Sequence, residues 1–220
     1  MKTADYKIWD NPTPIDIQIS QKENVEQGKW LKTQKVVYKR NREEKVWEMI
    51  SRGESEGVIS VLPVTQDGNI ILLEEIRVPM MNEQCNGRVI SMPAGLVDIG
   101  DTREYTAKKE LQEEVGFTSE DIHYVDTIAS SEGMTDEEID IFIALNCIQV
   151  SEIIEGRKQV GDLILGHGES ENIISIYSVP YEEIDNFLQQ AREEGMKKGG
   201  KIDCALRHYE NKFKNVVKTL

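Results

Sequence analysis

The sequence predicts an α+β fold or a layered α/β/α sandwich, preceded by a small N-terminal antiparallel β module. Three observations predict it. Short β-prone segments are separated by turn dipeptides, one strong amphipathic helix interrupts them, and two further helical stretches close the chain without the regular strand-helix alternation of a parallel sheet.

Residues 30–50, WLKTQKVVYKRNREEKVWEMI, hold two β-prone segments around the polar KRNREEK. They predict a hairpin or two meander strands, the heart of a module over residues 1–55. The larger domain, residues 56–220, opens with VISVLPV and IILLEEIRV on either side of TQDGN, whose Asp-Gly favours a tight reversal. Asn86-Gly87 precedes another strand in RVISMPAG.

DTREYTAKKELQEEVG is the strongest helix. Asp101 and Glu104 have the spacing of a capping box, Ala107, Leu111 and Val115 recur every four residues as a buried stripe, and Gly116 supplies a stop. Strands follow at HYVDTIAS, IDIFIALN and NIISIYSV, then helices in YEEIDNFLQQAREEG and DCALRHYENKFKNVV.

Composition narrows the function. The 220 residues, 39% hydrophobic and 30% charged, suffice for one domain with a small extra module. A formal net charge of −14 opposes nucleic acid and anionic membrane as partners, and a phosphate-bearing substrate would need a metal ion or local cations. Cys85, Cys147 and Cys204 form no CxxC pair, and His123, His167 and His208 no HExxH, so spacing suggests neither a disulfide framework nor a zinc site. No apolar run approaches the ~18 residues of a membrane span. With no signal-peptide core in MKTADYKIWD, cytoplasm is the expected compartment.

KKELQEEVG, residues 108–116, stacks Glu110 and Glu114 on one helix face, with Glu113 beside them and the apolar stripe turned elsewhere. Like charges at that spacing cost a helix about 0.2–0.5 kcal/mol. Either solvent screens the pair, with Lys109 and Glu113 as an ion pair, or a cation resolves it.

The surroundings of that helix resemble a Nudix hydrolase. The family signature is Gly, five residues, Glu, seven residues, then Arg-Glu-apolar-x-Glu-Glu-x-Gly-apolar. Gly95 opens it here, Asp101 stands at the first Glu position and Lys109 at the Arg position, while Glu110, Leu111, Glu113, Glu114, Gly116 and Phe117 fall in place. Asp101 serves as a metal contact or as the helix cap. Lys109 lacks the planar fork that Arg offers a carboxylate, which implies looser orientation of the glutamates.

Pro93-Ala94-Gly95 and SSEGMTDEE look like the ADP-ribose pyrophosphatase (ADP-sugar diphosphatase) branch, with Glu132 and Ser91 departing from its usual Pro and Glu. The resemblance implies Mg²⁺, with Mn²⁺ possible, held by the Ala94 carbonyl, Glu110, Glu113, Glu114 and Glu171. It implies Glu169 as the base, with Glu137 in reserve, and Glu171 as a metal or base carboxylate. In GKWLKTQKVVY and KVWEMISR, Trp30 and Trp47 match the adenine-stacking tryptophans that each subunit of a dimer supplies; as core or interface residues they would have no such role. Arg52 and Arg77 match positions near the diphosphate and adenine, or are surface ion pairs. The implied reaction is hydrolysis of ADP-ribose or a related ADP-sugar to AMP and sugar phosphate by a homodimer. Another nucleoside diphosphate compound as substrate, or a weakly active ADP-ribose-binding module, are the alternatives.

Overall fold

Asn41 and Arg42, at φ 53° and 69°, make the two-residue reversal whose left-handed backbone matches the twist of a hairpin. It joins β2 (Leu31–Arg40) to β3 (Glu43–Arg52) in unbroken register, from Arg40 opposite Glu43 to Leu31 opposite Arg52. A strand that sequence reading passed over, β1 (Ile17–Gln27), pairs antiparallel with β2 and completes a three-stranded sheet. The computed structural model describes residues 17–52, 55–81, 86–151, 158–160, 163–166 and 172–214.

This sheet belongs to a unit of its own, which also takes in Ser130–Glu137; the second unit comprises Ser55–Ala129 and the chain from Glu138 onward. Residues 130–137 thus leave the domain in which the sequence boundaries placed them. They turn on themselves through amides of Met134 and Thr135 donating to the Ser131 carbonyl, and the Ile50 amide donates to the Met134 carbonyl.

The second unit is built on a nine-stranded mixed sheet. Its strands are β4 (Val58–Thr65), β5 (Asn69–Ile76), β6 (Arg88–Ser91), β7 (Ala94–Leu96), β8 (Phe117–Thr118), β9 (Asp121–Ala129) and β10 (Glu138–Gln149). A small hairpin of β11 (Lys158–Val160) and β12 (Leu163–Leu165) follows, then β13 (Ile173–Pro180) and β14 (Lys197–Lys198), of which the last two rejoin the sheet. β4 and β10 run parallel, as do β6 and β14; the other pairings are antiparallel. RVISMPAG, read as one strand, is two: Met92-Pro93 breaks it between β6 and β7.

Alternation along the central strands feeds two cores, because successive side chains point to opposite faces. Ile59, Val61, Ile71, Leu73, Phe142 and Ala144 pack with Ala107, Leu111 and Val115 of α1 (Arg103–Val115). Leu62, Val64, Ile70, Leu72, Ile141 and Ile143 pack on the other face. There they meet Ile184 and Leu188 of α2 (Ile184–Glu193) and Ile202, Ala205 and Tyr209 of α3 (Lys201–Lys212). Helix, sheet, helices is the layered sandwich the sequence predicts.

Candidate active site

Helix α1 ends where Gly116 adopts φ 72°, a left-handed conformation open to glycine at no Cβ cost. Its start differs from the expectation. The cap is Thr102, whose hydroxyl accepts from the Tyr105 amide at 3.1 Å, while Asp101 lies in a turn with its amide donating to the Asp98 carbonyl. Thr102 already has the extended backbone of a cap, so the box pairing of Asp101 with Glu104 does not form. Behind it, Arg103 clamps the helix start by pairing with Asp140 and donating to the Glu56 carbonyl at 2.9 Å.

Of the two readings of the acidic face of α1, screening by solvent is not what the structure shows. Glu110 is 2% and Glu114 6% exposed. The reason is β7, which lies over them. The Ala94 amide donates to Glu114 Oε2 at 2.9 Å, and Gly95 sits so close to Glu110 that a Cβ there would stand 2.1 Å from its Oε1. The loop before β7 is itself fixed: the Pro93 carbonyl accepts from the Ser60 hydroxyl and from the Val61 amide, both at 2.9 Å. Ser60, fully buried, carries no sequence signal for this task, since a serine in a β-rich run reads only as a strand residue.

Glu113 occupies the neighbouring helix face, toward β12. Its carbonyl accepts from the Gly166 amide at 2.7 Å, and a Cβ on Gly166 would meet the Glu113 side chain at 2.7 Å. Lys109 Nζ lies 3.6 Å from Asp98 Oδ2. Burial alone would pull the Lys109 ammonium down, but the fields of Glu113, Glu110 and Asp98 together hold it above its usual range. Lys109 therefore stays protonated beside the glutamates. Glu169 and Glu171 lie outside the described residues.

Arg77, at the end of β5, pairs with Glu75 at 2.8 Å. The other substrate candidates belong to the N-terminal unit. The Trp47 indole donates to the Gly133 carbonyl at 3.2 Å, which fixes the ring on residues 130–137. Beside it runs a groove of about 500 Å³, lined by Ile19, Val36, Tyr38, Met49 and Met134 among others. Arg52 is engaged by Glu137 in an ion pair, which places the reserve base in a structural contact. Asp136 accepts from Lys22 and Ser51; those bonds outweigh the upward push of burial and hold its carboxyl below the usual range. Trp30 is 65% exposed, with the Lys29 ammonium 4.4 Å over its ring. The two tryptophans are not brought together within one sheet. Trp30 adjoins the Leu31–Arg52 pair whereas Trp47 pairs with Val36, five rows from that pair or about 17 Å along the strands.

The sequence profile of the NUDIX domain matches residues 55–198. The ADP-ribose pyrophosphatase of Saccharomyces cerevisiae is 26% identical over 204 residues, 86% of this chain and 82% of the relative. The ADP-ribose pyrophosphatase of Bacillus subtilis is 34% identical over 88 residues, 40% of this chain and 45% of the relative. The ADP-sugar pyrophosphatase of Mus musculus is 31% identical over 111 residues, 46% of this chain and 49% of the relative. The chain spans about half the length of the last two. In fold it is similar to a solved structure described as "Crystal structure of ADP compounds hydrolase", with a TM-score of 0.66 at 19% identity, covering 91% of this chain and 95% of that one.

Proposed function

The chain belongs to the NUDIX-domain family, and from that premise we propose that it hydrolyses ADP-ribose or a related ADP-sugar, with Mg²⁺ bound, to AMP and sugar phosphate. One observation carries the reading: two carboxylates a helical turn apart are buried against β7 instead of wetted. Buried like charges are costly unless a cation offsets them. The surrounding donors are oxygens, which suits a hard ion such as Mg²⁺ or Mn²⁺. Glu110, Glu114 and the Ala94 carbonyl would hold it, with Glu113 and, by resemblance, Glu171. A bound divalent cation offsets the charge of the diphosphate and makes water a better nucleophile at neutral pH.

The chain's own residues supply the rest. Ser60 and the Val61 amide hold the Pro93 carbonyl, the Ala94 amide orients Glu114, and the lack of a side chain at Gly95 lets β7 close on Glu110. Glu169, again by resemblance, accepts the proton of the water that attacks phosphorus and expels the other phosphate. Trp47, anchored through its indole N–H, stacks on adenine, a contact worth about 1–3 kcal/mol per base. The separation of Trp30 from Trp47 supports a homodimer, because Trp47 lies five pairing rows, about 17 Å, from the pair that Trp30 adjoins, too far for the two to flank one base, whereas Trp30 of a second copy can. Arg52 and Arg77 stand as phosphate or adenine contacts that exchange their Glu partners for substrate. The names of the relatives support the substrate class. No described helix is long and apolar enough to cross a membrane; a cytoplasmic location is part of this proposal.

An Mg²⁺ titration of AMP release from ADP-ribose tests the reading, with wild type and Glu114→Gln compared and GDP-sugars and dinucleotides as competing substrates. Equal rates for the two proteins would remove α1 from the chemistry. Ligand binding with no AMP at millimolar Mg²⁺ would make the protein a binding module.

A further inference from the structure

Three donors of mixed chemistry meet on the face of the sheet opposite α1. Cys204 and His208 are four apart on α3 and so share a helix face, one turn from each other. Asp126 on β9 stands opposite Ile141 of β10, whose side chain belongs to the core under α2 and α3. His208 Nε2 lies 2.9 Å from Asp126 Oδ2, the Cys204 thiol 3.9 Å from the same oxygen, and all three donor atoms fall within 4.8 Å of one another. Among the described residues this is the grouping of three such donors that the fold assembles, and none of the three belongs to the acidic helix.

We infer that Asp126, Cys204 and His208 form a binding site for a borderline transition-metal dication such as Zn²⁺. Metal–ligand distances of about 2.0–2.3 Å put neighbouring donors of a tetrahedral site about 3.3–3.8 Å apart. The Cys204–Asp126 separation, 3.9 Å, has to close by about a tenth of an ångström, and the His208–Asp126 contact, 2.9 Å, has to open by a few tenths. Thiolate, imidazole and carboxylate together favour zinc over magnesium, and three protein ligands leave one position for water. Entry is open, because the His208 and Asp126 side chains are 24% and 47% exposed. Without metal, the Asp126–His208 hydrogen bond keeps two ligands oriented, so little ordering is left for binding to accomplish. Binding releases the thiol proton, and the ion then competes with the weaker field of Lys212, one turn further along α3, for Asp126. Such an ion ties α3 to β9 and stabilises the folded chain by mass action. Spacing alone suggests no zinc site because Asp126 lies 78 residues from Cys204.

Co²⁺ is the probe, used on the full chain with saturating Mg²⁺ to occupy the oxygen site and with Cys85 replaced by serine so that Cys204 and the buried Cys147 are the remaining thiols. The expected result is uptake of one Co²⁺ per chain, with a thiolate-to-cobalt absorption band that Zn²⁺ abolishes. Cys204→Ser and, separately, His208→Asn should weaken binding at least about hundredfold and remove or shift the band, and both should melt like wild type when metal-free. Absence of the band in the parent protein, or an unchanged band and affinity in Cys204→Ser, would overturn the assignment. A variant that melts early without metal is replaced by Asp126→Asn, judged on the same two readouts. The readouts involve no turnover, so they stand apart from the fate of the hydrolase reading.

Discussion

Replacing Gly95 by alanine adds one carbon where Glu110 already lies. A Cβ there would stand 2.1 Å from Glu110 Oε1, 2.4 Å from Cδ and 2.8 Å from Cγ, whereas ordinary contact begins near 3.4 Å. The carboxylate must therefore retreat by about 1.3 Å, the gap between 2.1 and 3.4 Å. Retreat into open solvent is blocked, since Glu110 is 2% exposed. Overpacking of this kind costs about 1–3 kcal/mol, and a displacement of about 1 Å at a reacting centre costs about 10²-fold in rate. Gly95→Ala should accordingly lower kcat for AMP release about a hundredfold and lower the melting temperature. The cause is isolated by repeating the substitution in a Glu110→Ala background, where the three clashing atoms are gone and the stability cost should nearly vanish. A Gly95→Ala enzyme with wild-type kcat, or an equal melting penalty in both backgrounds, would refute the packing of Glu110 against β7.

Glu114→Gln keeps an oxygen to accept the Ala94 amide, so it should melt like wild type while kcat falls about 10²–10³-fold; steady-state kinetics and a thermal melt read both. Thr102→Ala should cost about 1 kcal/mol in a denaturant titration, whereas Asp101→Ala should leave the midpoint nearly unmoved, as expected if Thr102 is the cap. Trp47→Ala should raise KM for ADP-ribose about tenfold to a hundredfold with a smaller change in kcat. Burial pushes the Cys147 thiol from its ordinary 9.0 up to about 12. Its folded pKa is thus raised, and its contribution to stability is full below about pH 9 and is lost as pH climbs toward 12. By pH 10 that loss reaches about 1.4 kcal/mol, and Cys147→Ala should escape it, so unfolding free energies of the two proteins should converge by that amount between pH 8 and pH 10.

Legibility followed the range of the interactions. The hairpin at residues 31–52, the strands around Asp67-Gly68 and the three helices were readable because alternation and turn chemistry act over a few residues. β1 was not: in IQISQKENVEQ polar residues dominate, and what makes it a strand is pairing with β2. The cap moved from Asp101 to Thr102 for a related reason, since both are good cap residues and the turn from Asp98 to Asp101 decided between them. Within the site, the register of Gly95, Glu110 and Glu114 was legible as a motif, while the anchoring of Pro93 by Ser60, 33 residues earlier, was not.

The sequence by itself determined the extent and polarity of α1, its four-residue apolar stripe, the glycine that ends it and the crowding of carboxylates along it, because a helix's 3.6-residue period is a local property. Only the tertiary structure decided that those carboxylates lie under β7 and out of water, that residues 130–137 belong to the N-terminal unit, and that Asp126 meets Cys204 and His208. Each of these depends on which distant segments the two cores draw together, and burial acts on surface area irrespective of separation along the chain.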